Sequence, residues 1–148
     1  MYTITDVEDA LLQKLRSSAV ASYARKIDTF VIESGDIEEQ IRLLTKNLPA
    51  VLVVYGGSEY VHFPGRRQDR KMTFHVWVCA QSLRGEGEAR RGGVGTYRML
   101  EDVRAALTAS RLGLDIEQLY PVRESEQINT AHFSAYSIEF QLSTSGTF

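Results

Sequence analysis

The sequence predicts an α+β fold: a mostly antiparallel sheet of about four to five strands with helices packed on one face, in the order α-β-α-β-β-α-β-β. Three observations carry that prediction. Lys71–Gln81 alternates, with Met72, Phe74, Val76, Val78 and Ala80 facing one way and Thr73, His75, Trp77, Cys79 and Gln81 the other, which is the period of a strand. Upstream, Val51-Leu52-Val53-Val54-Tyr55 is an unbroken apolar run suited to a strand buried on both faces, and the Pro64-Gly65 turn signal lies between the two. Three further segments place apolar residues at helical spacing beside helix start and stop signals.

The elements follow in order. Thr5-Asp6-Val7-Glu8 has capping-box spacing, and Val7, Leu11 and Leu15, widened by Ala10 and Leu12, predict a helix from about Asp6 to Ser18. Tyr23–Ile32 contains Ile27, Thr29, Phe30, Val31 and Ile32, β-prone residues that predict a strand. Gly35-Asp36 opens a second helix with Ile37, Ile41, Leu44 and Leu48 on its apolar face, Glu38-Glu39 in its first turn and Pro49 as its stop. Val51–Phe63, bent at Gly56-Gly57, pairs with Lys71–Gln81 as a hairpin whose tip is a long basic loop over Pro64–Arg70. After a glycine-rich connection, Tyr97, Leu100, Val103 and Leu107 define a third helix that ends near Gly113. Leu119–Ile128, interrupted by Pro121, is a weak strand; Tyr136, Ile138, Phe140 and Leu142 alternate through a clear one.

Composition bounds the rest. With 148 residues, 43% hydrophobic and 24% charged, no internal repeat and no long linker, residues 1–148 read as one globular domain. There is no signal-peptide pattern, no apolar run near the roughly 20 residues that span a bilayer, and a single cysteine that forms no internal disulfide. A cytosolic protein with no membrane partner is expected. The net charge of −2 conceals a basic middle: Arg66–Arg104 carries nine Lys/Arg against five Asp/Glu, and acidic flanks balance it. Such asymmetry suits self-association through complementary patches and is too small to define a nucleic-acid binder.

No motif supplies chemistry. In GEGEARRGGVGTYRMLEDVRAAL, from Gly85 to Leu107, a dinucleotide fingerprint fails because Arg90 stands where the third glycine belongs. A phosphate loop fails too: Gly87 and Gly92 have its spacing, but Gly93 and Val94 replace the lysine and hydroxyl. The segment reads as a mobile charged loop over Arg84–Gly95 whose glycines give Arg90 and Arg91 reach. His62, His75 and His132 lie in separate segments with no zinc spacing, and Cys79 has no activating motif. Glu38/Glu39, Glu86/Glu88 and Glu124/Glu126 are explained by a helix start, a solvated loop and an exposed strand face. No catalytic, cofactor-binding or metal residues are assigned, and no enzyme activity or cofactor is expected. Two basic clusters remain as interface candidates: Arg66, Arg67, Arg70 and Lys71 at the hairpin tip, and Arg90 with Arg91 in the glycine loop. Aromatic residues do not interleave with these arginines along the chain, which argues against stacking on single strands.

Several of these stretches together resemble a known family. Leu48-Pro49-Ala50-Val51-Leu52-Val53 with Tyr55-Gly56, the strand Phe74-x-Val76-x-Val78, the glycine-rich charged loop, Gly95-x-Tyr97-x-x-Leu100-x-x-Val103 and the opening helix from Val7-Glu8 to Leu15 are similar, in order, to Mu-like phage tail proteins of the tail-terminator type. The resemblance implies a non-enzymatic virion protein, assembled in the host cytoplasm, at the head-proximal end of the tail. It implies a homo-oligomeric ring, typically a hexamer, that caps the tail tube and meets the head-tail connector, with DNA able to pass through its lumen. Related folds serve as neck, head-completion and tube-associated proteins. The alternative from another class is a nucleic-acid-binding module that uses the basic loops.

Overall fold

The computed structural model describes residues 2–30, 39, 47–82 and 87–147. Helix α1 spans Ile4–Arg16, strand β1 Lys26–Thr29, β2 Ala50–Phe63 and β3 Arg67–Gln81. A four-residue helix α2, Glu88–Arg91, precedes α3, Thr96–Leu107; β4, Tyr120–Asn129, and β5, Phe133–Thr147, complete the described elements. The five strands form one sheet in the order β1-β2-β3-β5-β4, parallel only between β1 and β2. Helices α1 and α3 pack on one face, so the α+β class and mostly antiparallel sheet are as the sequence predicts. Most of the second predicted helix, with Ile37, Ile41 and Leu44, lies outside the described residues; of its remaining positions Glu39 is helical and Leu48 is buried.

Helix α1 starts two residues earlier than predicted. Thr3, not Thr5, is its cap: Thr3 Oγ1 accepts from the Asp6 amide at 3.1 Å, and the Thr3 amide donates to Asp6 Oδ2 at 2.9 Å. Both threonines have the required spacing to a carboxylate, but a start at Ile4 adds that side chain to the apolar stripe of Val7, Leu11 and Leu15. The Thr3 backbone amide, and after it the Thr3 side chain, hold the Asp6 carboxyl below its ordinary range. Strand β1 begins at Lys26, three residues later than predicted, because the 3₁₀ turn at Ala19–Ser22 draws in Tyr23 and Ala24, whose amides donate to the Val20 carbonyl; Val31 and Ile32 of the predicted strand lie outside the described residues.

The main core lies between the helices and one face of the sheet. Met72, Phe74, Val76, Val78 and Ala80 of β3 meet Ile138, Phe140 and Leu142 of β5, and the α1 stripe closes over them with Met99, Leu100, Val103 and Leu107 of α3. A smaller apolar cluster occupies the opposite face, where Leu48, Ala50, Leu52, Trp77, Cys79, Phe133 and Ala135 meet. Every β3 side chain from Val76 to Ala80 is therefore buried, on alternating sides.

Two boundaries differ in α3. Tyr97 is 45% exposed and Met99 takes its expected inner place, because the buried stripe runs Thr96, Met99, Leu100, Val103, Leu107 and leaves Tyr97 on the flank. The helix stops at Leu107 rather than near Gly113. Ala109 adopts a positive φ of 61°, and its amide donates to the Leu119 carbonyl at 2.9 Å while Leu119 donates back to Ser110 at 2.8 Å. That exchange takes the backbone out of the helical pattern.

Candidate assembly surface

The hairpin of β2 and β3 outruns the helices that cover its base. Its register continues past the bulge at Tyr55/Gly57 to Tyr60↔Arg70 and Phe63↔Arg67, and only Pro64, Gly65 and Arg66 connect the strands. The predicted long basic loop over Pro64–Arg70 is thus a tight three-residue tip, with Gly65 at φ 80° and Arg66 at φ 67°. Arg67, Arg70 and Lys71 are strand residues. Arg67–Lys71 is polar on both faces, so it offers no apolar alternation to read, yet its backbone pairs with β2 on one side and β5 on the other.

The ladder sorts the predicted cluster. Arg67, Asp69 and Lys71 point to one face of the hairpin, Gln68 and Arg70 to the other, and Arg66 stands at the tip. The Arg67 guanidinium lies 4.9 Å from the Phe63 ring centroid, and Arg70 lies 5.5 Å from that of Tyr60. Arg70 is also held by Ser58, to whose Oγ its Nε donates at 3.3 Å. Lys71 sits directly across from Glu59, and Asp69 accepts from Ser145 Oγ at 2.6 Å. Arginine and aromatic residues that do not interleave in the chain are therefore cross-strand neighbours, which corrects the expectation from the linear sequence. Tyr60, Val61 and Phe63 are large exposed apolar residues here, and sequence reasoning missed them.

Arg90 and Arg91 are not part of this surface. They lie on α2, which packs near the opposite end of β3. Strand β3 itself runs 14 steps from Arg67 to Gln81, roughly 45 Å at about 3.3 Å per residue, so the two basic groups lie toward different ends of it. Two of the glycines beside them, Gly92 and Gly95, serve packing rather than reach. A Cβ on Gly95 would stand 2.4 Å from the Arg90 carbonyl oxygen, and one on Gly92 would stand 2.6 Å from that of Glu88. Close backbone packing requires glycine there, and Ala89 anchors the short helix in the interior.

A second surface lies between α3 and the sheet edge. Tyr97, Leu100, Glu101, Glu124, Glu126 and Tyr136 line an open cleft of about 440 Å³. The Tyr97 and Tyr136 rings meet edge to face at 5.8 Å, and Leu100 forms an apolar floor. Partial burial pushes the Tyr136 phenol above its ordinary range. Arg104 Nη2 donates to Glu101 Oε2 at 2.6 Å, which answers one of three carboxylates. Glu124 and Glu126 are exposed on β4, an edge strand, on the face that α3 leaves open.

The other candidate groups stay apart. His75 Nε2 lies 4.0 Å from Glu139 Oε1, while His132 Nδ1 lies 2.9 Å from the Ser82 carbonyl oxygen. Burial pushes the Cys79 thiol up to about 12, so at neutral pH it behaves as a small apolar group. Among the described residues, no group of three or more His, Cys, Asp or Glu side chains is placed to hold a metal, and no helix is long and apolar enough to cross a membrane.

Residues 3–145, from the α1 cap to the far end of β5, match the family model described as Bacteriophage Mu, Gp37. The chain belongs to this family. The Gp37 family is one of Mu-like phage tail proteins, so its members are structural, virion-associated components that work among other tail proteins. No curated protein matches the chain. The Gp37 match takes in both surfaces described above, the hairpin tip and the cleft beside β4.

Proposed function

We propose that this Gp37-family chain is a tail-terminator subunit. Copies close into a ring, a hexamer, on the head-proximal end of the tail, where the ring caps the tail tube and meets the head-tail connector. The role is structural and needs no cofactor. The observation that carries this reading is the family match over residues 3–145. The geometry supports it, because a closed ring uses two unlike patches on each subunit, and the chain has unlike surfaces well apart on one rigid sheet. In this reading Arg66, Arg67, Arg70 and Lys71 form one contact surface, and Arg90 with Arg91 forms another at the opposite end.

The test is the mass of the native chain in solution, alone and mixed with purified tail tubes, with negative-stain images of both samples. A ring of six times 16.7 kDa, about 100 kDa, or density capping one end of the tubes is the expected result. A chain that stays monomeric in both samples and leaves the tube ends bare overturns the reading. Caps at the head side of an assembled neck, with tubes left bare, would reassign it to the neck or head-completion station.

One observation favours a second reading. The arginine-on-aromatic pairs at the hairpin, Arg67 on Phe63 and Arg70 on Tyr60, are suited to stacking bases and gripping phosphate. A filter-binding titration against salt separates the two: phosphate gripping gives an affinity that falls steeply with salt. Flat, weak binding excludes the nucleic-acid module.

A further inference from the structure

The geometry points to a specific subunit contact: the hairpin tip of one copy, led by Arg66 and Arg67 over Phe63, docks in the cleft formed by Tyr97, Glu124, Glu126 and Tyr136 of a second copy. This rests on the ring reading and names the contact that would close it.

Three observations carry it. The first is charge. The tip presents Arg66 and Arg67, both exposed, while the cleft presents Glu124 and Glu126, which have no ion pair or hydrogen-bonded side-chain partner among the described residues. The nearby opposite charges reduce that balance without cancelling it: Arg104 is bonded to Glu101 and feels Glu124 only as its weakest attraction, Asp69 accepts from Ser145, and Glu59 lies across from Lys71. The second is shape. An arginine stacked on an aromatic ring is a narrow element with a charged point and an apolar flank, and the cleft has an apolar floor at Leu100, aromatic walls and carboxylates on the β4 side. Arginine and aromatic side chains of this kind anchor protein interfaces when they enter a pocket.

The third is separation. Glu124 and Glu126 lie across β5 from Val76 and Val78, because Glu124 pairs with Ile138 and Glu126 with Tyr136. That row is nine to eleven residues along β3 from Arg67, roughly 30 Å at about 3.3 Å per residue. No chain can fill its own cleft with its own tip while the ladder holds. In a closed ring each copy then offers its tip to one neighbour and its cleft to the other, which is a heterologous contact; a reciprocal pair exchanging tips would stop at a dimer, which the sedimentation mass below distinguishes. The tip is held by strand pairing on both sides of β3, so little conformational freedom is lost on docking.

The test uses two charge-reversed chains, Arg66→Glu/Arg67→Glu and Glu124→Arg/Glu126→Arg, compared with the native chain by sedimentation with and without tail tubes. All four positions are exposed, and unchanged thermal unfolding of each variant shows that the fold is retained. Each variant alone is expected to self-associate at least about tenfold more weakly than the native chain. An equal mixture of the two, or one chain carrying all four substitutions, is expected to regain native association, because every tip again meets a cleft of opposite sign. Native association in either single variant overturns the contact and leaves the ring standing. Loss without recovery in the mixture and in the fourfold chain also overturns it. A native chain that never associates, with or without tubes, overturns the ring reading itself.

Discussion

Along β2 and β3 one hydrogen-bonded ladder passes through two environments. At its base, Ala50–Val53 and Val76–Ala80 are buried on both faces, between the helix-side core on one side and the cluster around Trp77 on the other. At its far end, the same two strands carry Tyr60, Val61 and Phe63 beside Arg67 and Arg70, with large apolar groups exposed. The backbone pairing is equivalent in both places. The difference teaches that the ladder alone does not mark where a strand contributes to stability: side-chain cover does, and where cover is missing but large apolar groups persist, a binding role is the physical alternative.

That comparison has measurable consequences. Phe74→Ala opens a cavity in the covered half and is expected to cost about 3–5 kcal/mol, read from the midpoint shift in urea at constant slope. Gly95→Ala probes the α2–α3 connection at the same covered end. Its methyl would meet the Arg90 carbonyl oxygen, and the overpacking is expected to cost about 1–3 kcal/mol by the same assay. A mobile loop would instead accept that methyl with no loss, so the variant separates the two pictures. Phe63→Ala at the uncovered end is expected to change stability by less than about 1 kcal/mol, since it removes an exposed ring and one cation–π contact. Its effect belongs in association, where sedimentation should show a loss. A stability loss as large as that of Phe74→Ala would erase the distinction between the halves.

The covered half is the part that the sequence made legible. Five apolar residues at every second position from Met72 to Ala80 have only one economical explanation, a strand with a buried face, and the stripe through Leu100, Val103 and Leu107 is equally direct. The uncovered half was not legible as strand, because Arg67–Lys71 has no apolar side to set a phase. Strand β4 carries a weak sequence signal for a related reason: Pro121 and a run of exposed residues suit an edge, and an edge leaves little hydrophobic pattern. The cleft was hidden by distance along the chain, since Glu101 comes from α3, Glu124 and Glu126 from β4, and Tyr136 from β5. The i, i+2 spacing of Glu124 and Glu126 did place them on one face; what sequence could not supply was Tyr97 standing opposite. Tyr97 lies one step around the helix from the buried stripe that its spacing predicts, on the flank, while Thr96 beside it is buried.

Strand β3 runs without interruption from the Trp77 cluster to the arginine tip, and from Arg67 to Cys79 it is bonded to β2 on one side and β5 on the other. Antiparallel hydrogen bonds lie across the strand direction. A pull on the tip draws β2 and β3 together, because both strands enter it, and therefore loads the β3–β5 ladder in shear, with its bonds sharing the force at once rather than peeling one by one. Tension applied at the tip would reach the buried base of β3 through hydrogen-bonded strand, with no soft link between.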